Sequence, residues 1–124
     1  MTEIELEMTT RNVRQLEENQ QENEKQQRGM EQVMELYHEH FQRSNDLYSG
    51  INDTFYRNDF APVFQQMQDE IHHERRQLFD QLEDELEELK QENRALDDQL
   101  SEEQYKRQQL LNKADEEEIN NEQY

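Results

Sequence analysis

The feature that most constrains this sequence is a run of mostly apolar residues spaced alternately three and four positions apart. The run consists of Phe79, Leu82, Leu86, Leu89, Asn93, Leu96 and Leu100. This spacing keeps the stripe on one side of an α-helix. It does not indicate a DNA-binding leucine zipper, because the preceding segment MQDEIHHERRQ is acidic where such proteins carry a basic helix. The run therefore predicts a helix that packs through one narrow side.

A second stripe with the same spacing runs through the first half of the chain. It consists of Val13, Leu16, Gln20, Asn23, Gln27, Met30, Met34, Tyr37, Phe41, Ser44, Tyr48, Ile51 and Phe55. The segments SGIND and YRNDFAP, at the end of this stripe and just after it, hold the densest turn-forming residues of the sequence. The two stripes predict an all-α protein, an elongated antiparallel helical hairpin that forms one domain over residues 1–124. We expect helix 1 over about 3–49, or as far as 57, a turn over about 50–60, helix 2 over about 60–115, and a frayed acidic tail.

Composition removes several classes of function. The chain has 13 Lys and Arg against 32 Asp and Glu, a net charge of −19, which repels nucleic acid. It has no Cys, so disulfides and thiolate metal sites are excluded. Apolar runs are short and the amino terminus MTEIELEM does not resemble a signal peptide. We therefore expect a cytoplasmic protein that does not insert into membranes.

Pairing the stripes outward from the turn predicts a register for the hairpin. If Phe55 lies beside Phe64, antiparallel geometry brings Gln27 to Asn93, so that polar meets polar where the second stripe is interrupted. A polar pair at such a position costs stability but fixes register. Gln27 and Asn93 are therefore the predicted register-fixing residues. The alternative is that Asn93 faces its own copy across a parallel homodimer.

The aromatic residues are concentrated near the predicted turn. Seven of the ten lie there, namely Tyr37, Phe41, Tyr48, Phe55, Tyr56, Phe60 and Phe64. Val33 and Leu47 widen the apolar stripe of the first helix in the same region. One partner helix cannot cover a stripe of this width, so a further helix is expected to pack on it. The predicted partner-binding residues are Phe41, Tyr48, Phe55, Phe60 and Phe64, although some of these aromatics also close the end of the hairpin.

Two Glu-x-x-His spacings match the pattern by which di-iron helical bundles place two ligands on one helix. They are Glu35 with His38 and Glu70 with His73. In the predicted register the two pairs lie about 12 Å apart along the helix axis and beside the stripe, so they do not converge. No glycine-rich phosphate loop or activated nucleophile accompanies them. We expect no metal, no cofactor and no enzymatic activity.

The segment RRQLFDQLEDELEELKQENRAL, residues 75–96, resembles one family. It is similar to the longer, coiled-coil-rich accessory proteins encoded beside LXG-type toxins of Gram-positive type VII secretion systems. Tyr48-Ser49-Gly50 also looks like the turn of WXG proteins with Tyr in place of Trp. Phe55 and Asp59 have the spacing of the export signal of those relatives but lie at the predicted turn, which argues against a role as signal carrier.

The resemblance implies a targeting factor or chaperone. Such a protein would bind the helical LXG domain of a cognate toxin, together with a second small WXG-like helical protein, and help to target the toxin to the secretion system. It would be cytoplasmic or exported with the toxin. The pattern alone equally allows a self-assembling coiled-coil scaffold, a homo-oligomer without a toxin client. A metal-dependent oxidoreductase is the most distant alternative.

Overall fold

A computed structural model describes residues 2–122, with side chains from 2 to 120. Two long helices account for nearly all of this range: α1, Thr2–Phe55, and α2, Ala61–Glu122. They pack against each other as a hairpin, and the described residues contain no strand. The predicted all-α hairpin is therefore confirmed. Helix formation follows from the abundance of Glu, Gln, Leu, Lys and Arg, which lose little side-chain freedom in a helix.

The turn between the helices is built around Asn58. The Asn58 backbone N–H donates to the Phe55 carbonyl at 2.8 Å, and its carbonyl accepts from the Ala61 N–H at 3.0 Å. Its side-chain Oδ1 accepts from the Phe60 N–H at 3.0 Å. These bonds satisfy backbone groups that the ends of two helices leave without helical partners. Pro62 follows in the first turn of α2, where a missing N–H costs little.

The first helix continues through the segment that resembles a WXG turn. Tyr48, Ser49 and Gly50 all lie within α1, and no glycine of the described range has a positive φ. The Thr54 hydroxyl donates to the Gly50 carbonyl at 2.9 Å, one helical turn back. The chain therefore reverses only after Phe55.

The second helix is longer than its predicted bounds. Helix 2 was expected to about residue 115, followed by an acidic tail, and α2 continues to Glu122. The Thr2 hydroxyl donates to the Glu117 carboxylate at 3.4 Å, so the tail lies beside the amino terminus of α1. The dipole of α1 favours negative charge at this end, although Glu3 and Glu5 already occupy the first turn of α1.

The chain divides into two compact units. The terminal unit comprises residues 1–26 and 89–124. Its seam contains four buried residues, Thr9, Val13, Asn23 and Leu110. The buried Thr9 hydroxyl donates to the Glu5 carbonyl at 2.7 Å, which satisfies it within its own helix. Both apolar and hydrogen-bonded polar side chains therefore close this seam.

The turn unit comprises residues 27–88. Aromatic contacts mark its seam: the ring centroids of Phe55 and Phe64 are 6.1 Å apart, and those of Phe41 and Phe79 are 6.3 Å apart. The predicted pairing of Phe55 with Phe64 is thus confirmed. No residue between 27 and 88 is fully buried, since every one is half-buried or exposed.

Candidate partner-binding surface

A polar layer crosses the seam of the terminal unit. The Asn93 amide donates to the Asn23 oxygen at 3.0 Å, and the Asn23 amide donates to the Leu89 carbonyl at 2.9 Å. Gln20 donates to Asn93 at 3.5 Å and to Asp97 at 3.3 Å. Asn23 is only 4% exposed, so its hydrogen bonds are made where water cannot replace them.

This layer corrects the predicted partner of Asn93. Asn93 was predicted to pair with Gln27, whereas in the structure it forms hydrogen bonds with Asn23 and Gln20. Gln20, Asn23 and Gln27 belong to one stripe at heptad spacing, so the pattern cannot tell which of them lies opposite Asn93. Whether this layer fixes the register remains a prediction.

One carboxylate in the terminal unit has a buried oxygen that accepts no hydrogen bond. The Glu103 Oε2 atom is buried without a hydrogen-bond partner. Glu103 continues the α2 stripe three residues after Leu100, where an apolar side chain would be expected. Burial of a carboxylate oxygen without a donor is unfavourable.

The five predicted partner-binding residues do not share one environment. Phe41, Tyr48 and Phe64 are half-buried along the seam of the turn unit. Phe55 is 43% exposed although its ring packs on Phe64, and Phe60 is 65% exposed. Four of the five therefore contribute to hairpin packing, while Phe60 is the one most available to another molecule.

One side of the turn unit is polar and hydrogen-bonded. Gln68 donates to Asn45 at 3.0 Å and to Ser49 at 3.4 Å, and it accepts from Asn52 at 2.7 Å. This ladder joins α1 to α2 through amide and hydroxyl groups. It satisfies the polar side chains of this side within the hairpin itself.

The same polar side continues at His38 and Arg75. The Arg75 guanidinium lies 2.9 Å from His38 Nδ1, and its carbon lies 5.6 Å from the centroid of the Phe79 ring. His38 is thus engaged by an arginine, which is a poor arrangement for a metal ligand. No group of three or more His, Asp and Glu residues in the described range could hold a metal ion.

The other side of the turn unit is apolar. Six of its side chains are substantially exposed: Val33, Leu36, Leu47, Phe60, Val63 and Met67, here called the apolar face. Leu36 and Leu47 are 66% and 63% exposed, although leucine is usually among the most buried residues. Clustered exposure of this kind commonly marks an interaction surface.

Helical geometry places the five helical members of the apolar face on one side, and Phe60 lies in the turn just before α2. At about 100° per residue, the three on α1 lie roughly 80 to 160° around the axis from Phe41, and Val63 and Met67 on α2 lie roughly as far from Phe79. The rotation has the same sense along both helices. Phe41 and Phe79 meet in the seam. Because the helices run antiparallel, equal rotations lead to the same side of the pair, whereas Asn45 and Asn52 are rotated the opposite way.

Only part of this face was predicted from the sequence. Phe60 was among the predicted partner-binding residues, and Val33 and Leu47 were expected to widen the stripe, but Leu36, Val63 and Met67 were not among the predicted residues. A signal was available: Leu36 and Leu47 are eleven residues apart, about three helical turns, which returns them to the same side of α1. The signal was weak because polar residues separate the two leucines along the chain.

The described helices between residues 2 and 122 include no segment with the length and apolar character needed to cross a bilayer. The candidate site of this chain is the apolar face, where large apolar side chains are exposed together. It has no enclosed cluster of reactive groups among the residues described above.

A family model described as "Protein of unknown function (DUF3958)" matches residues 4–110, which include most of both helices. Neither the curated proteins nor the solved structures contain a match.

Proposed function

We propose that this chain, which belongs to the DUF3958 family, is a non-enzymatic helical adaptor. It binds the helical LXG domain of a cognate toxin and helps to target that toxin to a type VII secretion system. A second small WXG-like helical protein joins the same complex. The adaptor works before export as a targeting factor and chaperone.

The observation that carries the proposal is the apolar face of the turn unit. Leu36, Leu47 and Phe60 are each more than half exposed, while no residue between 27 and 88 is fully buried. A helix laid on this face would complete a bundle and remove these side chains from water, at about 25 cal/mol for each Å² of apolar area buried. Helix addition to an apolar groove is a recurrent mode of protein recognition.

The identity of the client rests on the resemblance of residues 75–96 to LXG accessory proteins. The physical properties of the chain suit that role. An LXG domain is helical and therefore can supply the missing helix, and the net charge of −19 discourages association with nucleic acid.

The proposal is tested by co-purification. The full chain is co-expressed with LXG-type helical domains encoded in the same genome, with and without the small WXG-like protein encoded beside them. We expect the wild type to form a complex that survives size-exclusion chromatography. The double variant Leu47→Asn with Phe60→Ala should bind the LXG domain more weakly. Tyr105→Ala, an equally exposed aromatic in the terminal unit, is the matched control and should retain the complex.

Circular dichroism of each variant verifies that the helices persist. Absence of binding to every LXG domain, combined with a stable homodimer or tetramer of the chain alone in sedimentation, would favour the self-assembling scaffold and overturn the adaptor.

A further inference from the structure

We infer that the apolar face receives an amphipathic helix whose apolar stripe is bordered by Lys or Arg on the side that meets α2. This inference deepens the proposed function and rests on it, since it specifies the chemistry of the partner helix. It follows from a difference in charge between the two borders of the apolar face.

The α2 border of the face is acidic. Met67, Glu74 and Glu85 are separated by seven and eleven residues, which return to the same side of a helix after about two and three turns. Glu74 and Glu85 therefore continue the line of Met67 along α2, and both are exposed. A helix docked on the face places its own border residues close to these carboxylates.

The α1 border of the face is mainly apolar and carries no acidic residue. At the same rotation from the seam α1 carries Val33, Leu36, His40, Arg43 and Leu47. No acidic residue of α1 between 29 and 54 falls within this range of angles; Glu35, Glu39 and Asp46 lie on the other side of the helix. A partner helix therefore meets apolar side chains with one basic residue along α1 and carboxylates along α2.

This difference in charge between the two borders favours one kind of partner helix. Basic residues at one border of the partner helix would pair with Glu74 and Glu85, and apolar residues would pack on Leu36 and Leu47. Charge complementarity at the edge of an interface speeds association and rejects partners of the wrong sign. A second copy of this chain is a poor fit, because each copy carries a net charge of −19.

The first test uses two synthetic helical peptides as probes. Both have the same leucine stripe, but one is bordered by lysine and the other by glutamate. Their binding to the full chain is measured by fluorescence anisotropy. The lysine-bordered peptide should bind at least about tenfold more tightly, and the difference should shrink as salt is raised.

A matched pair of charge reversals separates the α2 border from the general acidity of the chain. Glu74→Lys with Glu85→Lys reverses the border, and Asp69→Lys with Asp80→Lys makes the same change eleven residues apart on the opposite side of α2. The first pair should lower the affinity for the lysine-bordered peptide by about tenfold or more, whereas the second pair should change that affinity by less than about threefold. Equal losses from both pairs would mean that only net charge matters and would overturn the inference.

Apolar contacts are tested in the same assay. Leu47→Asn should lower the affinity for the lysine-bordered peptide by about tenfold. Tyr105→Asn in the terminal unit should leave its affinity unchanged. Retained binding by Leu47→Asn would overturn the inference, as would a dimer of the chain alone that Leu47→Asn dissociates and that excludes the peptide.

The inference and the proposed function can fail separately. If an LXG domain binds the wild type and both charge-reversed pairs equally, the adaptor function stands and the inferred partner chemistry is wrong. If no LXG domain binds, but the lysine-bordered peptide binds the wild type and loses affinity for the variants as expected, the inferred chemistry stands and the proposed client is wrong.

Discussion

The terminal unit and the turn unit are formed by the same two helices but bury their side chains to different extents. The terminal unit has few aromatics and several polar residues in its stripe, yet it buries Thr9, Val13, Asn23 and Leu110. Eight of the ten aromatics lie within the turn unit: Tyr37, Phe41, Tyr48, Phe55, Tyr56, Phe60, Phe64 and Phe79. That unit nevertheless has no fully buried residue.

The difference shows that burial in a two-helix unit depends on stripe width more than on apolar content. A narrow stripe can be enclosed by one opposing helix, even where it contains Asn23 and Asn93. A wide stripe leaves side chains such as Leu36 and Phe60 outside any contact that one helix can make. In the turn unit the excess apolar surface is therefore available to a partner.

The largest expected effect contrasts a buried leucine with an exposed one. Leu110→Ala in the terminal unit should lower the free energy of unfolding by about 2–4 kcal/mol, because it removes buried methyl groups and leaves a cavity. Leu36→Ala in the turn unit should change it by less than about 0.5 kcal/mol. Urea denaturation followed by circular dichroism measures both. Similar losses at the two sites would break the contrast between the units.

The polar layer should give a smaller effect. Asn93→Leu removes the donor to the buried Asn23 oxygen and should cost about 1–3 kcal/mol. The double variant Asn23→Leu with Asn93→Leu should recover that loss while allowing other registers or oligomers, because two apolar residues pack without a directional bond.

Thermal denaturation and sedimentation of the single and double variants measure these effects, with the exposed Asn112→Leu as control. A double variant that stays at the stability of the single variant and keeps one oligomeric state would show that the layer does not act as a register device.

The smallest expected effect is a gain in stability. Glu103→Leu removes a carboxylate with a buried, unpartnered oxygen and should raise the free energy of unfolding by about 1 kcal/mol. The neighbouring Glu102 is exposed, so Glu102→Leu should have little effect. Both are compared in the same urea titration. Destabilisation by Glu103→Leu would indicate that this carboxylate has a favourable role in the terminal unit.

The fold was predictable because its signals are local. Heptad spacing and helix-forming residues indicate helices wherever they occur, and the cluster of turn residues before Pro62 indicates where the chain reverses. The helical end of α2 was not predictable in the same way. The acids after residue 115 are unfavourable within their own helix, and the contact of Glu117 with Thr2 joins residues that are far apart in the sequence.

The candidate site was predictable in position but not in composition. The concentration of aromatics indicated the turn unit, yet Phe41 and Phe64 pack within the hairpin. The exposed aliphatic residues Leu36 and Val63 become a single surface only when two antiparallel helices are placed side by side. A pattern read along one helix does not contain that relationship.

Sequence alone determined that this protein is helical, acidic and folded back on itself, because periodicity, charge and turn chemistry act over a few neighbouring residues. Tertiary structure decided that Asn93 meets Asn23 instead of Gln27, and that one side of the turn unit is left apolar. Both depend on how the helices are shifted and rotated against each other. That arrangement is set by contacts between residues far apart in the chain, and a repeating stripe permits several such arrangements.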